Sequence, residues 1–77
     1  MKKISLLQLN EDKKVKIIEC LGGQSLQDRL LSLGIYSGRD IVKLSHFALK
    51  GPVTIKVGRS VIALGHHMAA KIMVEGE

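Results

Sequence analysis

Cysteine, proline and aromatic residues are scarce in this chain, and each shortage excludes a class of protein. Cys20 is the only cysteine, so no intrachain disulfide can form, whereas small secreted domains usually carry several. The single proline excludes a proline-rich linker. One tyrosine and one phenylalanine are the only aromatic residues, which leaves almost no stacking platform for single-stranded nucleic acid.

Long apolar segments are also missing. The longest uncharged run, residues 60–70, contains two histidines and is far shorter than a membrane-spanning helix. The chain begins Met1-Lys2-Lys3 without the apolar stretch of a signal peptide. We therefore expect a cytoplasmic protein that is not itself embedded in a membrane.

The size of the chain favours binding over catalysis. Its 77 residues predict one domain, residues 1–77, and a domain of this size buries only about 60–65% of its unfolded surface. An active-site cleft would compete with that small core for the same side chains. The net charge of +5 favours acidic partners such as nucleic acid, anionic lipid or an acidic protein surface. The lysines are scattered, however, and a solubilising surface charge explains them equally well.

Residues 25–33 give the clearest helical pattern. Ser25 is placed to cap the N-terminus, and Asp28 completes a pattern like a capping box. Gly34 suits the left-handed position after the helix, and Ile35 follows where a Schellman motif places its apolar contact. Three leucines at helical spacing form one apolar stripe, namely Leu26, Leu30 and Leu33.

Short strands separated by glycine turns make up most of the remainder. The predicted strands are residues 15–21, 40–47, 53–57, 60–64 and 72–74. Gly58-Arg59 predicts a two-residue type II′ hairpin turn. Residues 4–9 fit either an edge strand or one helical turn, residues 65–70 predict a short helical turn, and residues 75–77 are expected to fray. The pattern predicts a mainly-β small barrel with one or two short helices.

The segment from Leu26 to Gly38 resembles the signature of the FeoA family. That signature is an arginine–leucine helix ending in Leu-Gly-Ile or Leu-Gly-Met, followed by a turn that ends in glycine. Ser37 departs from it, since many members have proline there. The matching residues are Arg29, Leu30, Leu33, Gly34, Ile35 and Gly38, with further similarity at Leu6, Leu9, Gly51-Pro52-Val53, Ile62-Ala63-Leu64 and Ile72-Met73-Val74.

The resemblance implies an SH3-like barrel in the cytoplasm and a role beside FeoB, the membrane ferrous iron transporter with a cytosolic GTP-binding domain. It implies no catalysis. We expect a non-enzymatic accessory protein of ferrous iron uptake that binds the cytosolic part of a FeoB-type transporter. Nucleic acid is not the expected partner, but a small basic barrel that binds nucleic acid is kept as one alternative. Another is an interaction module like the SH3-like C-terminal domain of iron-dependent repressors. The Met1 start and the missing helix-turn-helix favour a free-standing protein.

Four residues are candidate partner contacts: Arg29, Leu31, Tyr36 and Arg59. Leu31 lies off the apolar stripe, so its exposure would suggest a docking role. The two arginines are explained equally well as solvated surface charges. The chain lacks the G-x-x-x-x-G-K-[ST] pattern, so we expect it to bind a GTPase rather than GTP.

No cofactor is expected, and a divalent metal such as iron or zinc has only weak candidate ligands. These are His46, His66 and His67. Adjacent histidines do not chelate well from one helix face, so the simpler interpretation of the last two is partly exposed helical residues. Cys20 is interpreted as a small core residue rather than a nucleophile.

Overall fold

The computed structural model describes residues 2–10, 12–46 and 51–76, and within them strands predominate. In chain order the elements are β1 (Lys2–Ser5), a 3₁₀ helix (Leu6–Gln8), β2 (Lys14–Cys20), α1 (Gln24–Ser32), β3 (Asp40–His46), β4 (Val53–Val57), β5 (Ser60–Leu64), α2 (His66–Ala70) and β6 (Ile72–Gly76). The mainly-β prediction is confirmed. Residues 4–9, which fitted strand or helix, contain both. Phe47, the last residue of the predicted strand over residues 40–47, and residues 48–50 lie outside the described residues.

The six strands form one antiparallel sheet in the order β1-β6-β2-β3-β4-β5. The two halves of this sheet meet in β2. Its first residues, Lys14 to Lys16, pair with β3, whereas Ile17 to Cys20 pair with β6. The register shifts between Ile17 and Glu19, and such irregularities bend a strand. The sheet therefore folds back across β2, and one cluster of buried side chains fills the space between its halves.

Aliphatic side chains make up almost all of this core. Val53, Ile55 and Val57 of β4 are buried in alternation, as the period-two pattern predicts. The α1 helix contributes fewer buried side chains to the core than its apolar stripe suggests. Leu30 is fully buried, whereas Leu33 remains 36% exposed. The fully or nearly buried residues are Leu6, Leu9, Ile17, Leu30, Ile35, Ile41, Val53, Ile55, Val57, Leu64, Ala69, Ile72 and Val74.

The buried face of β3 contains a lysine. Ile41 and Lys43 point into the core, and Lys43 is only 2% exposed, whereas Val42 and Leu44 are half-buried. The Lys43 ammonium group has three N–H donors, and buried charge is tolerated only when such donors find acceptors. Three main-chain carbonyls lie within hydrogen-bond distance of Nζ, those of Leu6 (3.1 Å), Leu7 (3.3 Å) and Leu9 (2.7 Å).

The main chain of Lys43 binds the next part of the same segment. Its carbonyl accepts the Asp12 N–H at 2.6 Å, and its N–H donates to the Lys13 carbonyl at 3.2 Å. Asp12 has a positive φ of 63°. The connection between β1 and β2 is thus fastened to β3 through one residue.

The predicted N-cap of the first helix, Ser25, is wrong by two residues. α1 begins at Gln24 with Gly23 as its N-cap, and no side chain caps it. Ser25 therefore lies inside the first turn and cannot take the capping position. Asp28 instead accepts a hydrogen bond of 2.7 Å from the Gln24 side-chain amide.

The predicted C-terminus of this helix is confirmed. Gly34 has a φ of +84°, the left-handed conformation that glycine adopts without strain. Its N–H donates to the Leu31 carbonyl, and the Ile35 N–H donates to the Leu30 carbonyl, both at 2.9 Å. These are the two hydrogen bonds of a Schellman motif.

Two predictions for the C-terminal part of the chain, a hairpin turn at Gly58-Arg59 and fraying of residues 75–77, have opposite outcomes. Val57 pairs with Ser60 across the predicted two-residue turn, and Gly58 has the φ of +60° that a type II′ turn needs at its first position. Fraying at residues 75–77 is wrong for Glu75 and Gly76, which belong to β6. The reason is that β6 lies between β1 and β2, and Gly76 pairs with Lys2. Glu77 lies outside the described residues.

We expect Lys43→Met to lower the free energy of unfolding by about 1–3 kcal/mol, since methionine keeps the buried stem but removes the ammonium donor from three carbonyls. Urea denaturation followed by circular dichroism measures this change. Lys56→Met on neighbouring β4 is the matched control, because that lysine is exposed and should change stability by less than about 0.5 kcal/mol. Equal effects of the two substitutions would contradict this role of Lys43.

Candidate protein-interaction site

Two of the four predicted contact residues line one small cavity beside α1. Leu31 is 60% exposed and Tyr36 is 42% exposed, and together with Cys20, Gln27 and Ile35 they border a cavity of about 180 Å³. We call it the Leu31 cavity. Leu31 thus meets the condition of exposure on which its predicted docking role depends, and that role stays a prediction. An aliphatic and an aromatic side chain at one concave spot can accept an apolar side chain of a partner.

The turn after α1 is fastened to β2, and this attachment positions Tyr36. The Gly38 N–H donates to the Ile17 carbonyl at 2.7 Å, and the Ile17 N–H donates to the Arg39 carbonyl at 2.9 Å. The Ser37 hydroxyl donates to the Ile18 carbonyl at 2.5 Å. A proline at residue 37 could not make this last bond, so the departure from the family pattern adds an attachment here.

The other side of the Leu31 cavity is held by Gln27. Its side-chain amide donates to the carbonyl of Cys20 at the end of β2, and a second carbonyl, that of Gly22, lies 3.5 Å away. The helix that carries Leu31 is therefore attached to β2 on both sides of the cavity. A surface held in this way loses little conformational entropy on binding.

The two predicted arginines are not brought to the cavity. Arg29 is exposed in the last turn of α1, and Arg59 is exposed in the hairpin between β4 and β5. Neither borders the Leu31 cavity, so the structure groups only Leu31 and Tyr36 among the four candidates. Their roles as partner contacts stay predictions.

Sequence reasoning missed Arg39, which is packed against Tyr36. Its Nη1 donates to the Tyr36 hydroxyl at 3.1 Å, and its guanidinium carbon lies 5.6 Å from the ring centroid, within cation–π distance. The signal available in the sequence was their spacing, since residues three apart across a tight turn are brought close together. The Arg39 N–H indeed donates to the Tyr36 carbonyl at 3.1 Å.

The thiol of Cys20 has a pKa above the usual cysteine value. Burial is the larger cause, because it disfavours the charged thiolate, and the neighbouring negative charge of Glu19 adds to it. Cys20 packs partly buried against the core, as the sequence predicted. A thiol with a raised pKa is a poor nucleophile at neutral pH.

The weak metal candidates are not gathered into a site within the described part of the chain. No group of three or more histidine, cysteine or acidic residues is found there. His66 is half-buried and His67 is exposed in α2, with their ring centroids 5.8 Å apart in an edge-to-face arrangement. The side chain of His46 lies outside the described part. Metal binding by these histidines stays a prediction.

None of the helices in residues 2–10, 12–46 and 51–76 has the length and the apolar character that crossing a membrane requires.

Comparison with known proteins identifies the family. A family model described as the FeoA domain matches residues 4–76, nearly the whole chain. The chain belongs to the FeoA family. This family of small, non-catalytic accessory domains acts in iron uptake. No curated protein sequence matches the chain.

Solved structures support the same assignment. A crystal structure of an iron uptake regulatory protein (FeoA) is 28% identical, with a TM-score of 0.86 and 97% of each chain covered. A FeoA-like protein from Clostridium acetobutylicum shares the fold at 23% identity and a TM-score of 0.83, covering 97% of this chain and 87% of its own. The predicted SH3-like barrel is confirmed.

The fold also recurs inside larger proteins. IdeR from T. acidophilum is 22% identical, with a TM-score of 0.85, and the match covers all of this chain but only 35% of that one. A manganese-dependent transcriptional repressor is 15% identical, with a TM-score of 0.85, and the match covers 94% of this chain and 40% of that one. At these identities the likeness concerns the fold alone.

We expect Cys20 in the folded FeoA-family chain to be alkylated by iodoacetamide more slowly than the same thiol after unfolding in guanidinium chloride. The raised pKa leaves less thiolate at neutral pH, so the midpoint of the rate–pH profile should lie above that of the unfolded chain. Glu19→Gln should move the folded midpoint downward, because it removes the second cause of the shift. A folded midpoint at or below the unfolded one would contradict this account.

Proposed function

We propose that this chain is a non-enzymatic, cytoplasmic accessory protein of ferrous iron uptake that binds the cytosolic part of a FeoB-type transporter. The observation that carries the proposal is the pairing of exposed Leu31 and Tyr36 at one cavity. Membership of the FeoA family directs the choice of partner towards iron transport.

The energetics of Leu31 favour a role in binding. A leucine side chain transferred from water to an apolar environment contributes about 1.5–3 kcal/mol. Leu31 leaves most of that free energy unused in the isolated chain, because 60% of it is exposed. Its neighbour Leu30 in the same helix is fully buried, so the helix is already anchored without Leu31.

The shape of the site favours a protein partner over a small substrate. The cavity of about 180 Å³ is smaller than the roughly 300–1,000 Å³ of typical small-molecule pockets. It can take one apolar side chain of a partner, with Tyr36 as the aromatic contact that is common at interface centres. The partner's own domain would supply the GTP chemistry, since this chain lacks a phosphate-binding loop.

We expect Leu31→Glu to weaken binding of the cytosolic GTP-binding domain of a FeoB transporter from the same organism by at least about tenfold. A carboxylate cannot enter an apolar contact without losing its hydration. Isothermal titration calorimetry measures the affinity, and amide shifts of the labelled chain locate the contact. An oligonucleotide serves as a parallel titrant for the nucleic-acid alternative.

His67→Glu is the control, because His67 is exposed on α2 and does not border the cavity. Wild-type affinity of this variant would show that the loss is specific to the Leu31 site. Alkylation of Cys20 should also slow further when the partner is bound, since the thiol borders the same cavity. Equal losses in both glutamate variants, or saturable binding of the oligonucleotide alone, would overturn the proposal.

A further inference from the structure

A second depression borders Tyr36 on its other side and is lined by positive side chains. It has a volume of about 490 Å³, and Lys14 of β2, Arg39 and Lys56 of β4 surround it. We call it the basic groove. Lys14 pairs with Val42 and Val42 pairs with Lys56, so the two lysines lie on one face of the sheet on either side of β3. Their Cα atoms are about 10 Å apart, twice the spacing of neighbouring strands.

The third cation is held in place by its surroundings. The Arg39 guanidinium lies against the Tyr36 ring and donates to its hydroxyl at 3.1 Å. Its Nη2 fills the space above Gly58, where a Cβ atom would lie only 2.7 Å away. An arginine ordered before binding loses less side-chain entropy when it pairs with a carboxylate.

The charges in the groove are not balanced within the described part of the chain. The one ion pair there joins Lys3 to Glu19, so no carboxylate lies at ion-pair distance from Lys14, Arg39 or Lys56. Asp40 borders the groove, but its single carboxylate is outnumbered by the three cations. The groove is therefore complementary to negative charge.

We propose that the basic groove binds an acidic segment of the partner protein, next to the apolar side chain that enters the Leu31 cavity. Tyr36 borders both the cavity and the groove, so one continuous chain segment can occupy the two. Carboxylates on one face of an extended segment recur about every 7 Å, which is within reach of both flexible lysines. This inference rests on the proposed function for the identity of the partner.

The groove is less suited to nucleic acid. Proteins that bind nucleic acid through the backbone commonly make about 6–10 phosphate contacts. The three cations here are fewer, even when Lys13 and Lys16 are added, which line a separate cavity that shares Lys14 with the groove. The Tyr36 ring already contacts Arg39 instead of offering that face to a base.

The first experiment measures the affinity of charge variants for the FeoB cytosolic GTP-binding domain at low and high salt. The double variant Lys14→Glu/Lys56→Glu should bind at least about tenfold more weakly and lose most of the salt dependence. Asp40→Asn should bind more tightly than wild type, because it removes the opposing charge. The control Lys2→Glu/Lys71→Glu makes the same change of net charge at exposed lysines outside the groove and should bind normally.

The second experiment probes the groove without the transporter. The labelled chain is titrated with a short acetylated peptide of alternating glutamate and valine, with its glutamine counterpart, and with an oligothymidylate of matched length. Of the three titrants, only the glutamate peptide is expected to cause saturable changes in the backbone amide chemical shifts of Lys14, Arg39 and Lys56. They should persist in Leu31→Glu and disappear in Lys14→Glu/Lys56→Glu, while thermal unfolding shows that both variants are folded.

The outcomes separate this inference from the proposed function. If Lys14→Glu/Lys56→Glu bound the transporter domain with normal affinity and Leu31→Glu did not, the role of the groove would be overturned. The proposed partner would then still stand. Shifts with the glutamate peptide in a chain that does not bind the transporter domain would support the groove and overturn the partner. Tighter binding of oligothymidylate than of the peptide, or equal shifts with the glutamine peptide, would overturn the acidic-segment assignment.

Discussion

The hydrogen bonds from the buried Lys43 ammonium group to three main-chain carbonyls hold the N-terminal 3₁₀ helix against β3. The carbonyls of Leu6, Leu7 and Leu9 belong to the 3₁₀ helix and the residue after it, whereas Lys43 belongs to β3. Carbonyls at the end of a helix need donors when they are buried, and an ammonium group supplies three. Because the main chain of Lys43 also pairs with Asp12 and Lys13, one residue determines how the chain passes from β1 into β2. This polar contact supplements the burial of aliphatic side chains in a small core.

β2 connects this part of the fold to the candidate site. Its first half pairs with β3 and its second half with β6, so the strand joins the two halves of the sheet. The same strand binds the turn after α1 through Ile17 and Ile18, and its end accepts the Gln27 side chain. Leu31 and Tyr36 are therefore presented on a rigid surface, although both lie outside regular strands. A site positioned in this way suits recognition of a partner, where order before binding reduces the entropic cost.

The Leu31 cavity and the basic groove have complementary physical roles. An apolar contact contributes affinity through the area it removes from water, whereas charges around it contribute orientation and the rate of encounter. Tyr36 takes part in both, because one side of it borders Leu31 and its ring holds Arg39. The composition alone attributes the net charge of +5 to solubility or to acidic partners. Part of this positive charge lies in the basic groove, beside Tyr36, which also borders the Leu31 cavity.

The amino-acid sequence by itself determined the features that depend on neighbouring residues. The C-terminus of α1 at Gly34, the alternation in β4 and the turn at Gly58 follow from local conformational preference and period, and all three were predicted. The pattern of short strands separated by glycine turns predicted a small barrel, and the FeoA resemblance added that the barrel is SH3-like. Tertiary structure alone decided which face of β3 is buried, and hence that Lys43 is a core residue. It also brought Lys14, Arg39 and Lys56 together. These outcomes depend on strand register and on how the sheet folds back across β2, and contacts between residues distant in sequence set both.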